Sequence, residues 1–226
     1  MVVGNGLIGS SFKKSKKLNS ETIIFASGVS SSAANSDKDF KREKDLILDT
    51  LSKHSNLTFI YFSSILAGVS GNDYYNHKVD MEELIKSKSN NYIIFKVPQI
   101  IGFNGNDNNL LKYLSNGIKN NTELILFKGI DRALVDVDDI VNIVNYCNGN
   151  VMCDTVYLSH IEKLNIVDIA LQISNNLDID ALITLTEGED ISNWDIANSD
   201  IIVDAISHLN IATHNYTNNI IKKYIK

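Results

Sequence analysis

Two groups of residues have the types and spacing to do chemistry. The first is Gly4-Asn5-Gly6-Leu7-Ile8-Gly9, which follows the apolar pair Val2-Val3 and runs into a stretch able to form a helix over Leu7–Lys17. Glycines at this spacing permit a tight turn and a close backbone approach, so the free N–H groups at the start of the helix can meet a pyrophosphate. A plain structural turn is the other reading of the same residues. The second group is Ser64, Tyr74 and Lys78. Tyrosine and lysine at i and i+4 share one helix face, so an ammonium can lower the phenol's pKa and hold a ribose. A strand-end serine can hydrogen-bond a substrate carbonyl while the tyrosine donates or removes a proton. Tyr-x-x-x-Lys is also common by chance, and a solvated amphipathic helix start is its alternative. Tyr75 beside Tyr74 leaves open which ring points inward.

A dinucleotide fingerprint also places an acidic residue about 20 positions on, at the end of the second strand, to hold ribose hydroxyls. The run Thr22–Ala26 ends instead in Ser27-Gly28, and Glu21 precedes the strand. Either the cofactor is phosphorylated at the ribose and meets serines, Ser27 first, or this is not the usual second strand.

The elements that must position these groups alternate. Val2-Val3, Thr22–Ala26, Leu57–Phe62, Tyr92–Val97, Leu124–Phe127, Ala133–Val137 and Thr155–Leu158 read as strands, rich in β-branched and aromatic residues. Leu7–Lys17, Asp39–His54, Tyr74–Ser87, Asn108–Asn116, a segment capped by Asp138-Asp139 and running to Tyr146, and Ile166–Leu177 read as helices. This order predicts an α/β fold: a Rossmann-like, mainly parallel sheet with helices on both faces, ligands binding at the carboxyl ends of the strands.

Composition narrows the function classes. With 27 acidic against 21 basic residues and no basic run, a nucleic-acid partner has no electrostatic footprint. No segment approaches about 18 uninterrupted apolar residues, so membrane insertion is not expected, and the start lacks signal-peptide character, which predicts a cytoplasmic protein. Cys147 and Cys153 form no disulfide framework, and His54, His77, His160, His208 and His214 fall at no ligand spacing, so no metal site is expected. Asp136, Asp138 and Asp139 read as an acidic helix start in preference to a cation site. Trp194 reads as a half-buried packing residue or a sugar-stacking platform, and Asn104–Asn109 as a loop over the substrate mouth or plain low-complexity sequence.

The order of five motifs resembles a known family. These are Gly4-Asn5-Gly6-Leu7-Ile8-Gly9, Phe62-Ser63-Ser64, Tyr74-x-x-x-Lys78, Lys96-Val97-Pro98-Gln99-Ile100-Ile101-Gly102 and Arg132-Ala133-Leu134-Val135-Asp136-Val137-Asp138-Asp139. Together they are similar to the extended short-chain dehydrogenases/reductases, and within them to the NAD-dependent epimerase/dehydratase group that acts on nucleotide sugars. The resemblance implies NAD or NADP as cofactor, its pyrophosphate held by Gly4, Asn5, Gly6, Leu7, Ile8 and Gly9. It implies Ser64 as the group polarising the sugar carbonyl or hydroxyl, Tyr74 as acid/base, and Lys78 as the residue that binds the nicotinamide ribose and depresses the phenol's pKa. Pro98 would border the nicotinamide, and Arg132 would contact the nucleotide of the substrate.

The implied activity is reduction or epimerisation of a nucleotide-activated sugar in polysaccharide or deoxysugar biosynthesis. The alternative is a degenerate, non-catalytic Rossmann-type binding or regulatory protein. Against the family's pattern, Ile24-Phe25-Ala26-Ser27-Gly28 resembles the fourth strand, so the second and third strands are missing and the first becomes an edge. Ser64 and Tyr74 stand only 10 positions apart, and Lys96 replaces a frequent arginine. The 226 residues are expected to form a single domain, with a truncated Rossmann core at about 1–150 and a small substrate-side lobe at about 151–226. An exposed edge strand needs cover, which a homodimer or a loop would supply.

Overall fold

The computed structural model describes residues 1–15, 19–30, 36–69, 71–103, 109–158, 162–187 and 199–226. Lys16, Lys17, residues 104–108 of the Asn104–Asn109 stretch, His160 and Trp194 therefore lie outside the described residues.

Along the chain run β1 (Val2–Val3), α1 (Leu7–Ser15), β2 (Thr22–Phe25), α2 (Asp37–Lys53), β3 (Thr58–Ser64), α3 (Asp73–Lys88), β4 (Tyr92–Val97), β5 (Gln99–Ile101) and α4 (Leu110–Lys119). There follow β6 (Leu124–Phe127), β7 (Asp131–Asp136), α5 (Val137–Cys147), β8 (Asp154–Tyr157), β9 (Lys163–Asn165), α6 (Ile166–Leu177), β10 (Ile183–Thr186), α7 (Asp200–His208) and α8 (Tyr216–Tyr224). Five strands form a parallel sheet in the order β1-β2-β3-β4-β8. The two-residue β1 ends that sheet, paired through Val2 with Ile24 and Val3 with Phe25. The chain thus has the expected α/β, Rossmann-like architecture.

Near-continuous apolar runs in β2, β3 and β4 reflect burial on both faces, as a parallel sheet with helices on either side requires. Because side chains alternate along a strand, Ile24, Ile60, Phe62, Ile93 and Phe95 pack toward Phe12 of α1 and Ile140 and Val144 of α5. Ile23, Phe25, Phe59, Tyr61 and Ile94 pack toward Ile47 and Leu51 of α2 and Met81 and Ile85 of α3. The first of these clusters continues through Leu114, Ile118, Ile169, Ile173 and Ile221 into the C-terminal helices.

Two small sheets complete the fold: β5-β7-β9, and the parallel pair β6-β10. Strands β5, β9 and β10 and helices α7 and α8 are added by the structure to the elements expected from the sequence. The expected cap of α5 is corrected: Asp136, not Asp138 or Asp139, is the N-cap, its Oδ1 accepting from the Asp138 N–H at 2.9 Å. The helix starts earlier because Val137 is itself drawn into the core. Asp138 and Asp139 then lie in its first turn, where negative charge suits the dipole.

Candidate functional site

The glycine loop is pressed onto the end of β2. Gly4 has φ +115°, and a Cβ there would stand 2.2 Å from the Ala26 carbonyl oxygen. A Cβ on Gly9 would lie 2.6 Å from the carbonyl oxygen of Gly4. Both positions therefore require glycine for close approach of backbone to backbone. Gly6 differs, since a Cβ there would meet nothing within 4 Å. The loop leaves open space at that point, beside the start of α1. Leu7 turns away to pack where a Gly102 side chain would stand, against Val137. Ile8 is half-buried against the core, and Asn5 is exposed.

Two cations that sequence reading did not single out border this loop. Lys13 Nζ donates to the Gly4 carbonyl at 2.8 Å and to Asn5 Oδ1 at 2.6 Å. Arg42 of α2 donates to the carbonyl and the Oγ of Ser27, at 3.2 and 3.3 Å. The serine at the end of β2 thus holds a guanidinium.

Tyr74 and Lys78 are set by the N-cap of α3: Asn72 Oδ1 accepts from the Tyr75 N–H at 2.9 Å, which puts Tyr74 in the first turn and Lys78 one turn later. Of the two neighbouring rings, Tyr75 is buried and stands edge-on to Tyr74, and the Lys78 ammonium lies 5.6 Å from the Tyr74 ring centre. Lys78 is only 2% exposed, which rules out the solvated-face reading of this residue. Its Nζ donates to Glu43 Oε1 at 3.1 Å and to the Tyr61 hydroxyl at 3.0 Å. Glu43, 0% exposed, also accepts from the Tyr61 hydroxyl at 2.6 Å and from the Val29 N–H at 2.6 Å, and lies 3.1 Å from His77 Nε2. Phe40 stacks on the far side of that imidazole at 4.4 Å.

Burial alone would raise the Glu43 carboxyl. The His77 hydrogen bond, the Lys78 charge, the Tyr61 hydroxyl and the Val29 N–H outweigh it and bring the group down to about 2. Burial first, then Tyr75 and Glu43, push the Tyr74 phenol above the ordinary tyrosine value, opposite in direction to the depression expected of Lys78.

Ser64 closes β3, with its Oγ accepting from the Leu66 N–H at 3.2 Å. It lies opposite Val97 in the sheet, and Pro98 is the residue that follows that neighbouring strand, so these two predicted residues share a strand end. Ile65 and Leu66 pack on Ala133 of β7, which brings the following strand system to the same end. Arg132, beside Ala133, donates to the Asp131 carbonyl at 2.9 Å. Below Ser64 a second buried network joins Ser63, Glu82 and Lys96, with Lys96 Nζ 3.3 Å from Glu82 and donating to the Ala67 carbonyl at 2.9 Å.

Gly28 links the loop to the tyrosine and lysine. A Cβ there would be 2.8 Å from both Glu43 Oε1 and Lys78 Nζ. The path from Gly4 through Ala26, Ser27 and Gly28 to Lys78 is therefore continuous contact. A cleft of about 330 Å³ between α1, α5 and Tyr224 shares only Leu7 with these residues. It lies on the sheet face opposite α3, so the chemistry is assigned to the strand ends instead.

Glu43 carried one legible signal. In a helix otherwise charged on its surface it sits four residues before Ile47 and eight before Leu51, on the buried stripe. Asp136, Asp138 and Asp139, weighed as a cation site, are occupied otherwise: Lys223 pairs with the first two at 2.7 and 2.8 Å, and the Tyr216 hydroxyl bonds the third.

No family model and no curated protein matches the sequence. Solved structures do. RMD from Pseudomonas aeruginosa, complexed with NADPH, superposes with a TM-score of 0.76 at 12% identity, over 98% of this chain and 96% of that one. UDP-glucuronic acid 4-epimerase from Bacillus cereus, in complex with UDP-glucuronic acid and NAD, gives 0.70 at 14% identity, over 94% and 76%. A dTDP-glucose 4,6-dehydratase from Bacillus anthracis, in complex with NAD, gives 0.66 at 12%, over 85% and 69%. The chain shares the fold of these proteins.

Proposed function

We propose that this chain is an NAD(P)-dependent oxidoreductase or epimerase of a nucleotide-activated sugar, a member of the epimerase/dehydratase group of extended short-chain dehydrogenases/reductases, acting in the cytoplasm. The observation that carries the reading is the unbroken contact from the glycine loop to Lys78 and Tyr74 along the end of β2. The five motifs in family order, and solved structures of like fold that hold NAD or NADPH, support it. The open space at Gly6 fits the pyrophosphate, and Gly4, Asn5, Leu7, Ile8, Gly9 and Ser27 frame it. When bound, the dinucleotide supplies hydride transfer at its nicotinamide. Tyr74 holds the proton exchanged with the substrate, Ser64 orients the sugar oxygen, Pro98 walls the ring, and Arg132 faces the nucleotide of the substrate, a task suited to its fork of donors. Calorimetric titration with NADPH and with NADH tests this: binding of at least one below millimolar dissociation constant is expected, and binding of neither ends the reading.

A second reading, a binding or regulatory module that has lost redox chemistry, is favoured by two observations. Lys78 is already bound to Glu43, and β1 ends the sheet, with no described strand beyond it to wall the adenosine side. Turnover of any nucleotide sugar with a matching change in NAD(P)H absorbance excludes it.

A further inference from the structure

Lys13 and Arg42 border the glycine loop with charges that the chain itself does not balance. Among the described residues neither forms an ion pair, although Asp39 and Asp45 stand one turn to either side of Arg42 on α2. Both are exposed, and both rest on neutral acceptors: Lys13 on the Gly4 carbonyl and the Asn5 amide oxygen, Arg42 on the carbonyl and hydroxyl of Ser27. A helical side chain leans toward the N-terminus of its helix, which is how Lys13 reaches back from α1 to the loop. One cation thus stands past the end of β1 and the other past the end of β2, on neighbouring strands. These strand ends touch, since a Cβ on Gly4 would lie 2.9 Å from the Ser27 nitrogen.

The present hydrogen bonds leave donors to spare. Both Arg42 bonds come from a single terminal nitrogen, so the other terminal nitrogen and Nε keep theirs, and Lys13 keeps one of its N–H groups. Lys78, by contrast, is buried and paired with Glu43. The Arg42 charge reaches as far as that residue: burial first, and Arg42 last, hold the Lys78 ammonium below its ordinary value, against the pull of Glu43 and Glu82.

We propose that Lys13 and Arg42 are binding residues for the diphosphate of the dinucleotide, one cation from each strand end meeting the negative charge of one phosphate at the open space beside Gly6. Neither residue belongs to the five motifs, whose resemblance assigns the pyrophosphate to the loop alone. The inference deepens the proposed function and rests on its placing of the pyrophosphate at that loop. Because both cations are exposed, the binding they supply is screened by salt.

Calorimetric titration of the full chain with NADH, NADPH and ADP, at about 0.05 and about 0.5 M salt, tests this. Whichever of these the native chain binds should bind about tenfold more weakly or worse at low salt in Lys13→Ala and in Arg42→Ala, each losing a charge-assisted hydrogen bond. The double variant should also show a flatter salt dependence than the native chain. Variants that bind as tightly as the native chain, or a double variant with the native salt dependence, overturn the proposal. Should a variant fail to fold, the native chain decides: affinity at least about tenfold weaker at high salt upholds it, and affinity indifferent to salt overturns it. NAD(P)H binding that the variants leave unchanged overturns this inference and leaves the proposed function standing. Binding of ADP alone, weakened in the variants, ends the proposed function and upholds the role of the two cations. Binding of none of the three ends both.

Discussion

At position 6 a side chain would enter open space, whereas at position 4 it would strike the Ala26 carbonyl with its own φ in the left-handed half of the map. The two glycines of one motif are thus held by different physics, and substitution separates them. Gly4→Ala should destabilise the fold by about 2 kcal/mol or more, from backbone strain and displacement of β2. Gly6→Val should leave the melting temperature within a few degrees but weaken NAD(P)H binding by roughly tenfold or more, because its methyls fill the cradle where phosphate oxygens would approach N–H groups. Thermal melts beside calorimetric titrations of both variants check this. Tyr74→Phe removes only the transferable proton: turnover of a nucleotide sugar should fall by about 10²- to 10⁴-fold while the cofactor dissociation constant stays within about twofold. These residues were legible because glycine spacing and Tyr-x-x-x-Lys are local patterns. Glu43, Arg42 and Lys13 were obscured because each sits in a charged stretch that resembles solvated surface, and only the packing of α1 and α2 turns Lys13 toward Gly4, Arg42 toward Ser27 and Glu43 toward Lys78.

Between elements, the Glu43 cluster joins α2, α3 and β3 by charged hydrogen bonds inside an otherwise apolar layer of Ile47, Tyr61, Met81 and Ile85. Its pH dependence has a definite sign. The folded carboxyl at about 2 lies below its unfolded value near 4.5, so the native state favours the ionised form. The resulting stabilisation is complete above about pH 4.5 and is lost as pH falls through about 2; the displacement corresponds to on the order of 3 kcal/mol. Denaturant unfolding of native chain and Glu43→Gln between pH 6 and 2 should show a gap that narrows on acidification, about 3 kcal/mol in favour of the native chain at the upper end. A gap independent of pH would mean that the carboxylate is not what the elements share. Sequence periodicity located α2, α3 and β3 to within a residue or two, since each has a long buried stripe, but it could not show that a carboxylate, an ammonium and a phenol from the three would converge.

On the scale of the whole chain, the last helix is tied back to the start of α5. Lys223 bridges Asp136 and Asp138, the Tyr224 hydroxyl donates to Asp136 at 2.9 Å, and the Tyr216 hydroxyl accepts from the Asp136 N–H at 3.0 Å while donating to Asp139. Lys223 is partly exposed, so Lys223→Ala should cost only about 1 kcal/mol. Faster amide exchange across residues 216–224, with unchanged dinucleotide affinity, is the expected signature. No described helix is long and apolar enough to cross a membrane.

By itself the sequence determined the α/β alternation, the parallel sheet and the candidate positions Gly4, Gly6, Gly9, Ser64, Tyr74 and Lys78, because strand and helix periods and glycine turns are set by neighbours along the chain. Only the tertiary structure decided that Asp136 caps α5 and that Lys78 is spoken for by Glu43. The cap follows from Val137 being drawn into the core, and the ion pair from buried charges that meet across α2 and α3, since burial of a charge is tolerated only where a partner from elsewhere in the chain arrives to hold it.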